Sequence, residues 1–184
     1  MIDLRYPALP DLIEVGGEPV EVLTGFRVWM RWGESARTGY LDPCIWPGEP
    51  PAGDWQDAAA AFYASEQPCP RQGAARAPVM DHIVDGEMIV ASFQWAYGID
   101  LTDPGLDMHW HRYLALLRNL PEDAPESKAI GYRSWKKPSK SKDAYERQMR
   151  SLQRAYALPR PHDEEGQADA LREQRAQLRA AGLL

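Results

Sequence analysis

Two histidines separated by one residue, His109 and His111, are the side chains of this sequence that most suggest metal binding. A zinc site needs several such ligands converging on one ion. The flanking residues follow a helical pattern, and on a helix two side chains at this spacing point about 200° apart. They would converge only on a strand. The spacing therefore favours surface or core histidines, and we expect no metal and no other cofactor.

Two cysteines, Cys44 and Cys69, lie in proline-rich segments that lack the local signature of a catalytic thiol. No signal peptide is recognisable before them, because the first residues contain no apolar run. We interpret both as unreactive, reduced thiols of a cytosolic protein that is not secreted. No apolar stretch approaches the ~20 residues that span a membrane, so no membrane partner is expected.

Three carboxylates, Glu122, Asp123 and Glu126, are of the type that performs acid–base catalysis in pairs. They follow Pro121 at the start of a predicted helix, where carboxylates satisfy free N–H groups and oppose the positive end of the helix dipole. Their position therefore favours helix capping. No glycine-rich phosphate loop is present, and no nucleophile, base and orienting group share a motif. The sequence predicts a protein that is not an enzyme.

An aromatic residue among cations forms a further cluster: Arg133, Trp135, Lys136, Lys137, Lys140 and Lys142. Such a set resembles a site that stacks bases and holds phosphates, but a single aromatic side chain makes a poor stacking platform. A solvated loop with Trp135 anchored in the core is the simpler interpretation. A protein-facing role stays open, because Trp and Arg are favoured interface anchors.

Charge is unevenly distributed along the chain. The formal net charge is −6, yet residues 128–160 carry ten Lys/Arg against two acidic residues, a local charge of +8, and the remainder carries −14. The basic segment can meet an acidic partner, nucleic acid or the acidic surface of the chain itself. The overall acidity disfavours nucleic acid among these, because phosphate neutralisation should dominate such binding. With 184 residues and 44% hydrophobic content, the chain is long enough for one ordinary core. Of its seven tryptophans we expect about two in three to be buried.

These residues must be positioned by a mainly α-helical fold of five to six helices with a small N-terminal β-hairpin. Short β-prone runs on either side of Gly16-Gly17 predict the hairpin, and Pro19 predicts an edge strand. Helices are predicted over 25–37 capped by Thr24, over 55–65 capped by Asp54, from a cap at Asp81 to 97, and over 108–120, 125–134 and 141–157. The proline-rich segments 41–53 and 66–78 are predicted loops. We expect one helical domain over 1–160 and a helical tail over 161–184.

Apolar residues recur at helical spacing within three of these helices. The third helix has Val84, Met88, Ala91 and Trp95 on one face; the fourth has Trp110, Tyr113, Leu114, Leu117 and Leu120; the last has Tyr145, Met149, Leu152 and Tyr156.

The order of these motifs resembles the bacteriophage gene-product-fifteen family of long-tailed phages and prophages. The resemblance extends over about residues 10 to 159. The residues that carry it are Phe26-Arg27-Val28-Trp29, Asp81 through Tyr97, Gly98-Ile99-Asp100-Leu101, His109-Trp110-His111-Arg112-Tyr113, Leu120-Pro121-Glu122-Asp123, Ser127 through Arg133 and Tyr156-Ala157-Leu158-Pro159.

The resemblance implies a chaperone of tail assembly, active in the host cytoplasm, which binds the tape-measure protein and helps recruit tail-tube protein. A homo-oligomer is left open. Candidate contacts are Trp110, Tyr113, Arg133, Trp135, Lys136 and Lys137, although each could equally be core. Two alternatives remain: a structural tail or connector component retained in the virion, and a regulatory protein that binds nucleic acid or a host factor.

Overall fold

A computed structural model describes residues 9–65, 79–139 and 143–159. Two strands and six α-helices lie in these residues, which confirms the predicted fold class. The elements are β1 (Leu12–Val15), β2 (Glu18–Glu21), α1 (Phe26–Arg37), a short 3-10 helix (Pro43–Ile45), α2 (Gln56–Ala64), α3 (Gly86–Tyr97), α4 (Trp110–Arg118), α5 (Pro125–Ser134) and α6 (Asp143–Ala155).

The described residues form two compact units. Unit 1 contains residues 9–65 and 85–128, and unit 2 contains residues 79–84, 129–139 and 143–159. The first turn of α5 therefore belongs to unit 1 and its remainder to unit 2. The predicted domain over 1–160 stays a prediction. The predicted loop 66–78 with Cys69, the lysines 140 and 142, and the tail 161–184 lie outside the described residues.

The β-hairpin has the predicted turn. Gly16 and Gly17 adopt φ angles of 61° and 89°, which residues with a side chain rarely adopt. The strands pair antiparallel, with Ile13 opposite Val20 and Glu14 opposite Pro19. The buried side chains of β1 alternate with exposed ones, so one face of the hairpin contributes to the core of unit 1 and the other faces outward.

Stacked aromatic rings form the core of unit 1. The ring of Tyr113 lies 5.3 Å from those of both Phe26 and Phe93 and 5.5 Å from that of Trp110, with interplanar angles of 20° or less. Each such pair adds roughly 0.5–1.5 kcal/mol beyond the burial of apolar area. Five of the seven tryptophans have exposed fractions of 8% or less, close to the predicted proportion: Trp29, Trp32, Trp46, Trp55 and Trp110.

The starts of α1 and α4 are joined by a short antiparallel bridge. The Phe26 N–H donates to the Met108 carbonyl at 2.9 Å, and the Trp110 N–H donates to the Thr24 carbonyl at 2.7 Å. The predicted cap at Thr24 was wrong, because the N-cap is Gly25 and no side chain caps the helix. The bridge satisfies the first N–H of each helix, one of the donors that have no partner within a helix.

Two further predicted caps were also wrong. The helix after Asp54 has Trp55 at its N-cap, and the Trp55 indole packs edge-on against Trp46 with ring centroids 5.6 Å apart. Asp81 accepts from the Ile83 and Val84 N–H groups at 2.8 and 3.0 Å, and so it caps a turn that precedes α3. The helix itself begins only at residue 86.

The loop after α3 is fixed by a single guanidinium group. Arg27 donates to the carbonyl oxygens of Leu101 at 3.0 Å, Asp103 at 2.6 Å and Leu106 at 3.2 Å. The left-handed cap predicted at Gly98 is confirmed, with φ 65°. The loop therefore leaves α3 in a defined direction and leads the chain back to the start of α4.

Candidate partner-binding surfaces

Trp110 and Tyr113, two of the predicted contact residues, lie in the core of unit 1. Their exposed fractions are 1% and 0%. The Trp110 indole N–H donates to the Tyr63 carbonyl at 2.9 Å, and its ring stacks on the Tyr63 ring at 5.0 Å. Burial raises the pKa of the Tyr113 hydroxyl above its ordinary value, and the neighbouring Glu126 raises it further. Both residues follow the core alternative, and the described fold offers neither to a partner.

Arg133 and Trp135 are half-buried within unit 2. The Arg133 guanidinium donates to the Tyr156 carbonyl and, at 3.0 Å, to the Val79 carbonyl. The Gln153 side chain donates to the carbonyls of Arg133 and Trp135 at 3.1 and 3.2 Å. Arg133 thus binds backbone inside its own unit, and any role of this pair in binding a partner stays a prediction.

Lys136 and Lys137 are exposed, as a solvated loop would have them. The Lys137 ammonium lies 2.6 Å from a carboxylate oxygen of Glu146, and the Arg150 guanidinium lies 2.9 Å from the other. The hydrogen bond from Lys137, followed by that from Arg150, lowers the pKa of the Glu146 carboxyl. One carboxylate is therefore shared by two cations, and unit 2 keeps an excess of positive charge at this point.

The two histidines bind backbone groups. His109 is the N-cap of α4 and lies outside the helix, so its placement within a helix over 108–120 was wrong. The centroids of the two imidazole rings are 5.2 Å apart. His109 Nε2 donates to the Pro10 carbonyl at 2.8 Å, and its Nδ1 accepts the His111 N–H at 3.0 Å. His111 Nε2 donates to the Phe62 carbonyl at 2.9 Å. Across residues 9–65, 79–139 and 143–159, no group of three or more His, Cys, Asp or Glu side chains is placed to hold a metal ion.

The three carboxylates near Pro121 differ in their exposure to solvent. Glu122 and Asp123 are exposed, whereas Glu126, in the first turn of α5, is fully buried. The Glu126 N–H donates to the Ser92 hydroxyl at 3.0 Å, and that hydroxyl donates to a carbonyl within α3 at 2.7 Å. The place of Glu126 in the first turn of α5 was predicted. Its capping role stays a prediction, and the burial of its carboxylate was not predicted.

Cys44 lies within the short 3-10 helix, which Asp42 caps by accepting a hydrogen bond from the Cys44 N–H at 2.9 Å. Burial, followed by the negative charge of Asp42, raises the pKa of the Cys44 thiol. The reactive thiolate is therefore disfavoured, in keeping with an unreactive loop thiol.

The apolar stripe predicted on the third helix is not part of the core. Val84 precedes α3, and the remaining three residues of the stripe lie on a largely exposed face of α3. Trp95 is 56% exposed, Ala91 is exposed and Met88 is half-buried. The core side of the helix is formed instead by Ile89 and Phe93. The sequence contained the signal, the spacing of three and four residues, but it did not show which of two apolar faces would be covered.

The outward face of α6 is basic. None of the α6 side chains is buried, and Arg147, Arg150 and Arg154 are exposed. The predicted apolar side is half-buried at Met149 and Leu152, whereas Tyr145 is 48% exposed.

Helices of the described residues are all too short or too polar to cross a membrane.

The described residues define a mainly helical protein with an N-terminal β-hairpin, an apolar outward face on α3 and a basic outward face on α6. A family model described as "Bacteriophage Gp15 protein" matches residues 58–158, which is more than half of the 184-residue chain. The chain therefore belongs to the bacteriophage Gp15 protein family, as the order of its motifs predicted. No curated protein and no solved structure gives a significant match.

Proposed function

We propose that this Gp15-family protein is a chaperone of bacteriophage tail assembly. It binds the tape-measure protein in the host cytoplasm and helps recruit tail-tube subunits. Tape-measure proteins are long, helical and partly apolar. Their apolar surface must therefore be bound by another protein, to prevent aggregation, until the tail tube encloses them. Family membership supports the phage context.

The observation that carries the proposal is the outward stripe of Met88, Ala91 and Trp95 on α3. A protein that keeps five tryptophans at 8% exposure or less leaves the Trp95 indole 56% exposed. Trp is enriched among the residues that dominate binding energy at interfaces. Spacings of three and four residues let one helix accept the apolar stripe of another.

The surroundings of the stripe suit a contact that must later be released. Glu87 and Gln94, on the same helix, are exposed and give the stripe a polar border. Interfaces of modest size with a polar rim are typical of transient complexes. Tube subunits could therefore displace the chaperone from its client.

The test is co-expression of the full chain with the tape-measure protein encoded in the same genome. We expect the wild-type protein to keep the client soluble and to co-purify with it. The double variant A91E/W95A should lose both effects while its circular dichroism is unchanged. A matched control is Y40A, since Tyr40 is 62% exposed but lies away from α3 in the sequence. Failure of the wild-type protein to bind or solubilise the client would reject the proposal.

Mature particles provide a second readout. A chaperone should be absent from purified virions or present only in traces. Stoichiometric amounts by mass spectrometry would favour the alternative of a structural tail or connector component.

A further inference from the structure

Three arginines form a continuous basic row on the outward face of α6. Arg147, Arg150 and Arg154 are spaced by three and four residues, so their side chains fall within an arc of about 60° and span about 10 Å of the helix axis. All three are exposed. The half-buried side of the same helix, with Met149 and Leu152, points the other way.

Among the described residues of unit 2, this row is neutralised only in part, at Arg150. Glu146 is bound by both Lys137 and Arg150. Arg147 and Arg154 have no carboxylate partner in the described part of the chain. The described residues of unit 2 contain six Lys/Arg and three acidic residues.

A complementary surface lies on the outward face of the β-hairpin. Glu14 is directly opposite Pro19, and Leu12 is directly opposite Glu21. Opposed residues share a face, as do residues two positions apart on one strand, so all four side chains lie on the same face of the hairpin. All four are exposed. Leu12, which lies opposite Glu21 and two residues before Glu14 on β1, is 50% exposed. Glu14 and Glu21 are about 7–8 Å apart at the diagonal position of a strand pair.

No cation neutralises these carboxylates among the described residues. Glu14, Glu18 and Glu21 make no ion pair with Lys or Arg there. The described residues of unit 1 contain seventeen acidic residues against six Lys/Arg. Among the described residues, the outward face of the hairpin is thus an acidic surface without a cationic partner. Its carboxylates, about 7–8 Å apart, fall within the length of about 10 Å of the arginine row.

We propose that the arginine row of α6 in one copy of this protein binds the outward face of the hairpin in a second copy. Charge complementarity selects this partner, and Leu12 supplies an apolar contact beside the carboxylates. The two surfaces differ, so the contact is heterologous. Each copy presents both surfaces, and repetition gives rings or open chains of subunits. Nucleic acid is the poorer occupant because the chain as a whole carries −6.

Sedimentation velocity of the full-length protein tests the contact. A concentration series is measured at about 50 mM and about 500 mM salt, where screening differs strongly. We expect assemblies at low salt that dissociate to monomers at high salt. The variants R147E/R154E and E14K/E21K should each weaken the association about tenfold or more. The control E49K/D54K changes exposed loop carboxylates by the same charge and should associate like the wild type.

Mixing the two reversal variants distinguishes this contact from general charge effects. Each reversed surface then meets a surface of opposite sign on the other variant, so a one-to-one mixture should re-form assemblies that neither variant forms alone. A protein that is monomeric at low salt at every concentration overturns the proposal. Association that is as strong in both charge-reversal variants as in the wild type also overturns it. A third contradicting outcome is a monomer that binds duplex DNA through its arginine row in a gel-shift assay.

Discussion

At the scale of single residues, the contact between Gly33 and Tyr63 shows how closely α1 approaches α2. A Cβ atom at position 33 would lie 2.3 Å from the Tyr63 hydroxyl oxygen and 2.6 and 2.7 Å from two of its ring carbons. The Tyr63 ring has little room to withdraw, because it packs against Trp32 at 5.3 Å and stacks on Trp110 at 5.0 Å. Glycine is thus required here for a close approach and not for its backbone freedom.

The substitution G33A should destabilise the protein. Over-packing of a core costs about 1–3 kcal/mol, which exceeds the gain of up to ~1 kcal/mol that alanine brings to a helix. The free energy of unfolding from urea titration measures the difference. The control is G131A in α5, where a Cβ would meet nothing within 4 Å. It should stabilise by roughly 0.5–1 kcal/mol, and a G33A protein as stable as G131A would contradict the packing.

At the scale of elements, the start of α4 depends on two uncharged imidazoles. His109 uses Nδ1 as an acceptor for the cap and Nε2 as a donor, which only the neutral ring can do. His111 buries its Nδ1 without a hydrogen-bond partner among the described residues. Burial is the largest cause that lowers the pKa of each ring below the ordinary 6.5. Hydrogen bonds to the Pro10 and Phe62 carbonyls oppose the shift without reversing it.

Stability should therefore fall as the pH drops below about 6.5. The unfolded chain takes up protons there, while the folded chain does so only at lower pH, so protonation favours unfolding. We expect the urea midpoint to decrease between pH 7.5 and pH 5.5, above the ordinary range of carboxylates. In the variant H109N/H111Q this decrease of the urea midpoint should be smaller, even if the substitutions lower the stability at pH 7.5. Equal slopes for the two proteins would argue against neutral histidines.

At the scale of the whole molecule, tryptophan side chains are divided between the interior and the surface, and charges are divided unequally between the two units. Five tryptophans are buried, Trp135 is half-buried and Trp95 is largely exposed. Cationic residues are in excess in the described part of unit 2, whereas carboxylates dominate unit 1. The two proposed surfaces follow from this sorting, since one uses the exposed indole and the other uses the uncompensated charges.

Acrylamide quenching of tryptophan fluorescence should reveal the sorting directly. The wild-type protein should show a small, readily quenched fraction together with a large, protected one. The variant W95F should lose most of the readily quenched fraction, because it removes the most exposed indole. The variant W46F should retain it, because Trp46 is buried. A readily quenched fraction that persists in W95F would place the accessible indole elsewhere.

Local features were predictable because they depend on neighbours in the sequence. Gly16-Gly17 permits the positive φ angles of a tight turn, and Gly98 permits a left-handed cap, whatever surrounds them. The positions and types of the helices followed from apolar periodicity and proline breaks, and the order of the motifs identified the family. The position of Glu126 in a first turn was predicted as well, but the burial of its carboxylate was not.

The sequence by itself therefore determined the hairpin, the six helices and the family, because backbone preferences and side-chain periodicity act over a few residues. Only the tertiary structure decided which helix face is covered and how helix starts are satisfied. The helix α3 is apolar on more than one side, so periodicity leaves two faces open, and packing buries Ile89 and Phe93 while Trp95 stays outside. The cap predicted at Thr24 was replaced by a bridge from a segment more than eighty residues away. Such partners are brought together by folding, and no local pattern encodes them.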